Sequence, residues 1–405
     1  MDTPHPFHVM TKPIGPRCNI DCSYCYYLEK EKLYPGEKKF RMPDDVLETY
    51  VCDLIAAGVR AGQKTVSFAW QGGEPTVLGL DFFRKVIALQ DRSRPEGMTI
   101  SNVLQTNGTL IDADWAAFLA ENRFLVGISL DGPERLHDRY RRDRAGRPTF
   151  GAAMRGLGHL LDAGVEVNIL ATVNRANVVK PKEVYRFLSG LGTPFIQFIP
   201  IVERQVDESG LSPVPQLDVG ADSGTVAVTE WSVSPAAYGK FLCDIFDLWY
   251  RHDVARISVQ FFDVQLGLWL GQPATLCVFA EECGGGLALE HNGDVFSCDH
   301  YVYPQYRLGN LMEDDLATLA AAPVQRAFGR QKSASLPRQC LSCRYRFACN
   351  GGCPKHRFAC SRDGEPGLNY LCEAHRRFFR HAGPRLEAMA ARLARGQSPV
   401  PGAMG

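Results

Sequence analysis

The chain has no excess charge of either sign. Lys plus Arg total 45 and Asp plus Glu total 45 over 405 residues, so no global field draws it to nucleic acid or to an anionic membrane. No stretch approaches the roughly 18 uninterrupted apolar residues that a membrane-spanning helix needs. Met1–Arg17 lacks the apolar segment of a secretory signal and carries His5, His8 and Lys12, so the expected compartment is the cytoplasm. With 45% hydrophobic and 22% charged residues, disorder as the main state is excluded. Cysteine is almost missing from one long stretch, where only Cys52 and Cys243 lie between Cys25 and Cys277. Yet the chain holds 14 Cys, three of them from Cys18 to Cys25 and nine from Cys277 to Cys372. Structural disulfides are uncommon in the cytoplasm. Two dense groups therefore predict two metal-bearing regions.

The first half alternates short β-rich runs with amphipathic helical runs. Expected strands are Phe7–Ile14, Thr65–Trp70, Ser101–Thr106, Leu125–Leu130, Glu166–Val173 and Phe195–Val202, each rich in Val, Ile or Phe. Expected helices are one starting at Pro43, then Asp81–Asp91, Asp112–Asn122, Phe150–Ala163 followed by Gly164 at C′, and Pro181–Leu191. Six such units imply a parallel sheet with helical crossovers. An eight-fold barrel needs about 250 residues, so the fold class is α/β, a partial (β/α)6 TIM-like barrel. It is expected over residues 1–235, with a Ser/Pro/Gly-rich loop, Gln205–Glu230, that serves either as a lid or as a solvated excursion. Linking helices are expected over 236–270 and a small cysteine-rich domain over 271–380. In that domain Leu287–Cys298 reads as a hairpin turned at Asn292-Gly293. A C-terminal helix and a tail, frayed from Gln397, are expected over 381–405.

Cys18-x3-Cys22-x2-Cys25 follows the first strand. Three thiolates on one short loop suit a [4Fe-4S] cluster with one iron left open, or a three-Cys zinc site. Gln71-Gly72-Gly73-Glu74-Pro75, Gln105-Thr106-Asn107-Gly108 and Ser129-Leu130-Asp131-Gly132-Pro133 end the second, third and fourth strands. That is the face where barrels place their chemistry. Together these segments resemble the radical S-adenosylmethionine (SAM) superfamily. The resemblance implies that the open iron binds SAM and that Tyr24 lies near its adenine. It also implies that Gln71, Gly72, Gly73 and Glu74 meet its amino group and that Thr106, Asn107, Ser129 and Asp131 sit around it. Arg141 or Arg142, from an arginine-rich run that otherwise reads as a solvated loop, is a candidate for its carboxylate.

Cys277, Cys283 and Cys298 bracket the hairpin, followed by Cys340-x2-Cys343-x5-Cys349-x3-Cys353, Cys360 and Cys372. Paired zinc ribbons are one reading. The spacing also resembles the SPASM extension of radical SAM enzymes. That resemblance implies one auxiliary [4Fe-4S] cluster on Cys277, Cys283, Cys298 and Cys353 and another on Cys340, Cys343, Cys349 and Cys372, for three clusters in all. Cys360 is surplus, competing with Cys372. Cys52 and Cys243 are expected to be core residues. His300 is a neighbour of the auxiliary site or simply a hydrogen-bonded histidine.

Phe68–Thr76, Leu104–Asp112 and Ser297–Val302 resemble the anaerobic sulfatase-maturating enzymes. These oxidise a Cys or Ser in a Cys/Ser-x-Pro-x-Arg motif of an unfolded or nascent sulfatase to Cα-formylglycine. The resemblance implies reductive cleavage of SAM to a 5′-deoxyadenosyl radical, loss of a Cβ hydrogen from the substrate, a base at Asp299, and an auxiliary cluster that accepts the electron. It also implies an electron donor such as flavodoxin or ferredoxin, with no nucleic-acid or membrane partner. Rival expectations are a SPASM enzyme that crosslinks peptides and a non-catalytic metal-binding module.

Overall fold

Alternation sets the strands. In Glu166–Val173 the residues Val167, Ile169, Ala171 and Val173 are buried and those between them are not, so one register satisfies the core. The computed structural model describes residues 7–205, 215 and 226–400. Its strands are β1 (His8–Lys12), β2 (Thr65–Trp70), β3 (Thr99–Thr106), β4 (Leu125–Ser129), β5 (Glu166–Val173), β6 (Phe195–Pro200), β7 (Ser258–Val259), β8 (Gly286–Glu290), β9 (Asp294–Phe296) and β10 (Arg307–Asn310). They form one ten-stranded sheet in the order β10-β9-β8-β1-β2-β3-β4-β5-β6-β7.

The helices of the first half are α1 (Asp44–Arg60), α2 (Leu80–Ser93), α3 (Ala113–Glu121), α4 (Glu134–His137), α5 (Phe150–Asp162) and α6 (Pro181–Ser189). Then come α7 (Pro235–His252), α8 (Gln260–Trp269), α9 (Leu316–Ala320), α10 (Pro323–Ala334), α11 (Arg338–Leu341), α12 (Arg346–Cys349) and α13 (Cys372–Leu393). Strands β1 to β7 pair in parallel from neighbour to neighbour, which gives the expected barrel-like α/β architecture. Phe246 of α7, Phe262 of α8 and Phe378 of α13 pack ring on ring within the core that all these elements share. Among the described residues no helix is long and apolar enough to cross a membrane.

Several expectations change. Pro43 caps α1 instead of starting it. A seventh parallel strand, β7, follows α7 and consists of two residues, too short for any periodicity to show. The hairpin loop has three residues, His291 to Gly293, instead of two, and Gly293 sits at φ 90°, a conformation that costs glycine nothing. The hairpin is also not a separate sheet, because β8 pairs in parallel with β1 from His8↔Gly286 to Lys12↔Glu290. Cys52 is exposed, whereas Cys243 is buried as expected. The chain past Gln397 is held where it is described. Gln397 N–H donates to Arg392 O at 3.0 Å, Arg392 Nε donates to Ser398 O at 2.7 Å and Val400 packs on the core. Most of the Gln205–Glu230 loop lies outside the described residues, but its ends are fastened by Gln205 N–H to Ala227 O (3.1 Å) and Thr229 N–H to Glu203 O (2.9 Å).

Candidate active site

The carboxyl ends of β1 to β4 meet the first cysteine loop. Cys18, Cys22 and Cys25 line a cavity of about 170 Å³ with Gln71, Gly72, Gly73, Thr106, Asn107, Ser129 and Arg141. A Cβ on Gly73 would stand 1.7 Å from Arg17 O, so only glycine lets the β2 loop pass beneath the cysteine loop. Gly73 N–H and Glu74 N–H donate to Gly15 O and Arg17 O, both at 2.8 Å, and lock the two loops together.

Glu74 lines this cavity, but both its carboxylate oxygens are already engaged. Oε1 accepts from Thr76 N–H (3.1 Å), Thr76 Oγ1 (2.6 Å) and Thr106 Oγ1 (2.8 Å), and Oε2 accepts from Asn107 N–H (2.7 Å). Burial pushes its pKa up, against these donors. Its role here is to tie β2 to β3. Asp131 is fully buried and lies behind the cavity. It accepts from Tyr24 Oη at 2.5 Å and from Thr172 N–H at 3.0 Å, and pairs with Arg141 Nε at 3.1 Å. The Arg141 guanidinium also reaches Cys22 Sγ at 3.9 Å. Arg142 points to the surface, with Nη1 on Gly146 O at 2.8 Å, so of the two arginines only Arg141 faces the cavity. Gln105 Nε2 donates to Ser129 Oγ at 3.0 Å, and Asn107 Nδ2 approaches Cys18 Sγ at 3.7 Å.

Burial pushes the Cys18 thiol up to about 12 and the Cys22 and Cys25 thiols upward too. Ionised thiolates here require a positive charge among them, which iron supplies. No group of three or more His, Cys, Asp or Glu among the described residues is placed to hold a single metal ion. Three thiols on the wall of one cavity are a donor set that fits an iron–sulfur cluster.

The second region sorts itself electrostatically. The Cys298 thiol is raised by burial first and then by Cys353 and Cys277, and Cys283 likewise by Cys353 and Cys277. Cys349 is raised by burial first and then by Cys372, Cys340 and Cys343. Cys298 and Cys283 thus neighbour Cys353 and Cys277, and Cys349 neighbours Cys372, Cys340 and Cys343. Cys372 lines the cavity of the second set and Cys360 does not. Two buried cations escaped the sequence reading. Lys332 Nζ donates to the carbonyls of Cys277 (2.5 Å), Val278 (3.1 Å) and Ala280. Arg357 donates to the carbonyls of Gly351 (3.0 Å), Asn350 (2.8 Å) and Lys332 (2.5 Å). His300 Nδ1 lies 3.7 Å from Cys353 Sγ.

Asp299 joins the two regions. It sits one residue after Cys298, and its Oδ2 accepts from the hydroxyl of Tyr26, one residue after Cys25, at 2.5 Å. Its Oδ1 pairs with Lys12 at the end of β1. Burial pushes the carboxyl up, but Lys12 beside it and the Tyr26 hydroxyl hold it down at about 2. Neither Lys12 nor Tyr26 was expected. The available signals were a lysine at the end of a β-rich run and a tyrosine next to a cysteine.

The family model described as the Radical SAM superfamily matches residues 13–188, and the one described as an iron–sulfur cluster-binding domain, SPASM, matches 277–344. A serine-type anaerobic sulfatase-maturating enzyme of Bacteroides thetaiotaomicron is 42% identical over 98% of this chain and 94% of its own. A cysteine-type enzyme of Clostridium perfringens is 33% identical over 94% and 97%. The solved structure described as native anSMEcpe with bound AdoMet and Cp18Cys peptide matches with a TM-score of 0.82 at 33% identity, covering 96% of this chain and 100% of that one. Streptococcus suis SuiB bound to S-adenosylmethionine shares the fold, with a TM-score of 0.60 at 15% identity over 91% of this chain and 77% of that one. With its thiol sets, its β-strand ends and its nearly full-length relatives in agreement, the chain belongs to the anaerobic sulfatase-maturating enzymes, oxidoreductases of the radical SAM superfamily.

Proposed function

We propose that this enzyme oxidises the Cβ of a serine in a Ser-x-Pro-x-Arg stretch of an unfolded sulfatase to Cα-formylglycine, and that it accepts the Cys-x-Pro-x-Arg form more slowly. The bridging carboxylate carries the reading. Asp299 is bonded to Tyr26 from the first cysteine region and stands beside Cys298 of the second, so a substrate side chain placed there lies between the two. The serine preference is supported by relatives at 42% and 37% identity that are serine-type, against 33% for a cysteine-type one.

Cys18, Cys22 and Cys25 would hold one [4Fe-4S] cluster, and the two sets of four would hold the others. When bound, the first cluster and SAM supply a 5′-deoxyadenosyl radical that removes a Cβ hydrogen, and the other clusters supply a sink for one electron. Arg141, held by Asp131, and the Gly72-Gly73 backbone, held beside Glu74, would bind the carboxylate and amino group of SAM. Tyr24, fixed by Asp131, walls the cavity beside the cysteine loop. Asp299 takes the hydroxyl or thiol proton. At about 2 it is ionised throughout the working pH range, and loss of the Cβ hydrogen acidifies the neighbouring O–H enough for a weak base to suffice. Lys12 and Tyr26 keep the carboxylate aimed. A reduced flavodoxin or ferredoxin would be the donor, in the cytoplasm.

The test is anaerobic cluster reconstitution, then SAM, dithionite and matched Ser and Cys peptides, with the aldehyde trapped by a hydrazine. The Ser peptide gains aldehyde faster, and Asp299→Asn lowers aldehyde yield about 10²–10⁴-fold while 5′-deoxyadenosine still forms. If 5′-deoxyadenosine appears and neither peptide gains an aldehyde, the reading fails.

A further inference from the structure

We infer that the arginine rim around the second auxiliary thiol set is a docking surface for an acidic one-electron carrier protein that takes away the electron left by substrate oxidation. The inference rests on the function proposed above, which releases one electron per turnover. The cavity measures about 480 Å³, and Cys340, Cys343, Cys349 and Cys372 all line it. Its wall also carries five arginines: Arg344, Arg346, Arg362, Arg376 and Arg380. Arg346 faces Glu281 at 3.6 Å, and among the described residues the other four make no ion pair. Arg344, Arg362 and Arg380 are exposed.

This local field stands out in a chain whose charges cancel overall. A rim of unpaired guanidinium groups attracts and orients an anionic surface. The proposed substrate motif carries an arginine, so the rim repels it. The thiols at the base select the kind of partner, because a redox centre at the floor of a surface cavity lies close to whatever seats on the rim. The step is one electron from the centre held by Cys340, Cys343, Cys349 and Cys372 to the carrier's oxidised flavin. That centre is oxidised and the flavin becomes a semiquinone. No bond to carbon forms or breaks, and the substrate proton has already gone to Asp299.

The test uses cluster-loaded full-length enzyme and an oxidised acidic flavodoxin. Its binding is followed by calorimetry, and its reduction during turnover by flavin absorbance. Binding should weaken steeply as salt rises. The variant R344E/R362E/R380E should bind at least about 10-fold more weakly and reduce the flavin correspondingly more slowly. Its iron content and dithionite-driven 5′-deoxyadenosine formation should match the parent enzyme. Should that variant lose iron, R362Q/R380Q, read by the same binding assay, decides the matter with a smaller loss. Unchanged affinity in the arginine variants overturns the proposal, as does a loss produced by R142E/R147E beside the first cysteine loop instead. Flavodoxin binding at this rim without any aldehyde product would refute the proposed function and leave the docking surface standing.

Discussion

The two cysteine regions solve one ligation problem in opposite ways. The first places three thiols on eight residues, from Cys18 to Cys25, and gathers its other walls from strand ends. Its buried charges are balanced, with Asp131 against Arg141 and Glu74 ringed by donors. The second draws its thiols from loops spread between Cys277 and Cys372, and thiols far apart in the chain are neighbours in space. Its buried charges are Lys332 and Arg357, which reach only backbone carbonyls and a serine hydroxyl. A contiguous loop on a preformed sheet can exist without its metal. A web of loops around unpaired cations needs the negative charge that thiolate clusters bring. The difference teaches that the first region is built for an open coordination site and the second for being held together.

The sharpest test removes one thiol from each. Cys22→Ala should abolish SAM cleavage while melting temperature and auxiliary iron stay near the parent's. Cys349→Ala should instead lower the yield of folded protein and the melting temperature, measured by calorimetry on anaerobic samples. Equal losses of stability would break the contrast. Next in size is Lys332→Met, which leaves carbonyls of residues 277, 278 and 280 without their donor, at about 1–3 kcal/mol for a buried unmet group. The variant should lose stability and show a lower reduction potential for the cluster on Cys277, Cys283, Cys298 and Cys353, read by redox titration under electron paramagnetic resonance.

A smaller effect lies at the seam. His291 of the hairpin loop bonds Glu37 at 2.8 Å and Glu290 at 3.4 Å. Burial lowers its pKa, but the two carboxylates raise it further than that. Its stabilisation is therefore fully present below about pH 6.5, the value of a free histidine, and is lost as pH rises through the folded value. Melting temperature should fall over that window, and the fall should vanish in His291→Gln. Smallest of all is Cys52→Ser. This exposed thiol should change stability by no more than about 0.5 kcal/mol and leave iron content unchanged.

How much of this could be read in the sequence depended on range. Thr65–Trp70 and Glu166–Val173 emerge with the bounds read from alternation, because local burial on one face dictates them. The two thiol regions were legible because cysteine in dense, spaced groups has few other uses, whereas the division of the second region into two ligand sets came only from the resemblance. β7 was not, since two residues carry no period. The pairing of β8 with β1 was not either, because nothing in either strand names a partner so far along the chain. Lys332 and Arg357 were invisible for the same reason, and Lys12 and Tyr26 carried only local signals that name no partner. A buried cation is recognised by what surrounds it, and here the surroundings are carbonyls and a carboxylate from distant segments. Glu74 and Asp131 were legible as residues of these motifs but not as carboxylates already engaged by protein donors.

The β1–β8 pairing has a consequence for how the chain is made. His8 and Gly286 are register partners, so the strand that leaves the ribosome early waits for one that emerges near the end. Contacts of such separation form slowly. Until they do, β1 is a bare edge, open to pairing with another chain. Cys18, Cys22 and Cys25 follow that edge directly, so during synthesis the first thiol loop stands unshielded beside it. An assembly factor that loads iron into this loop during synthesis would find it accessible for most of translation. The sets of four, which close only with the arrival of Cys353 and Cys372, are sealed last.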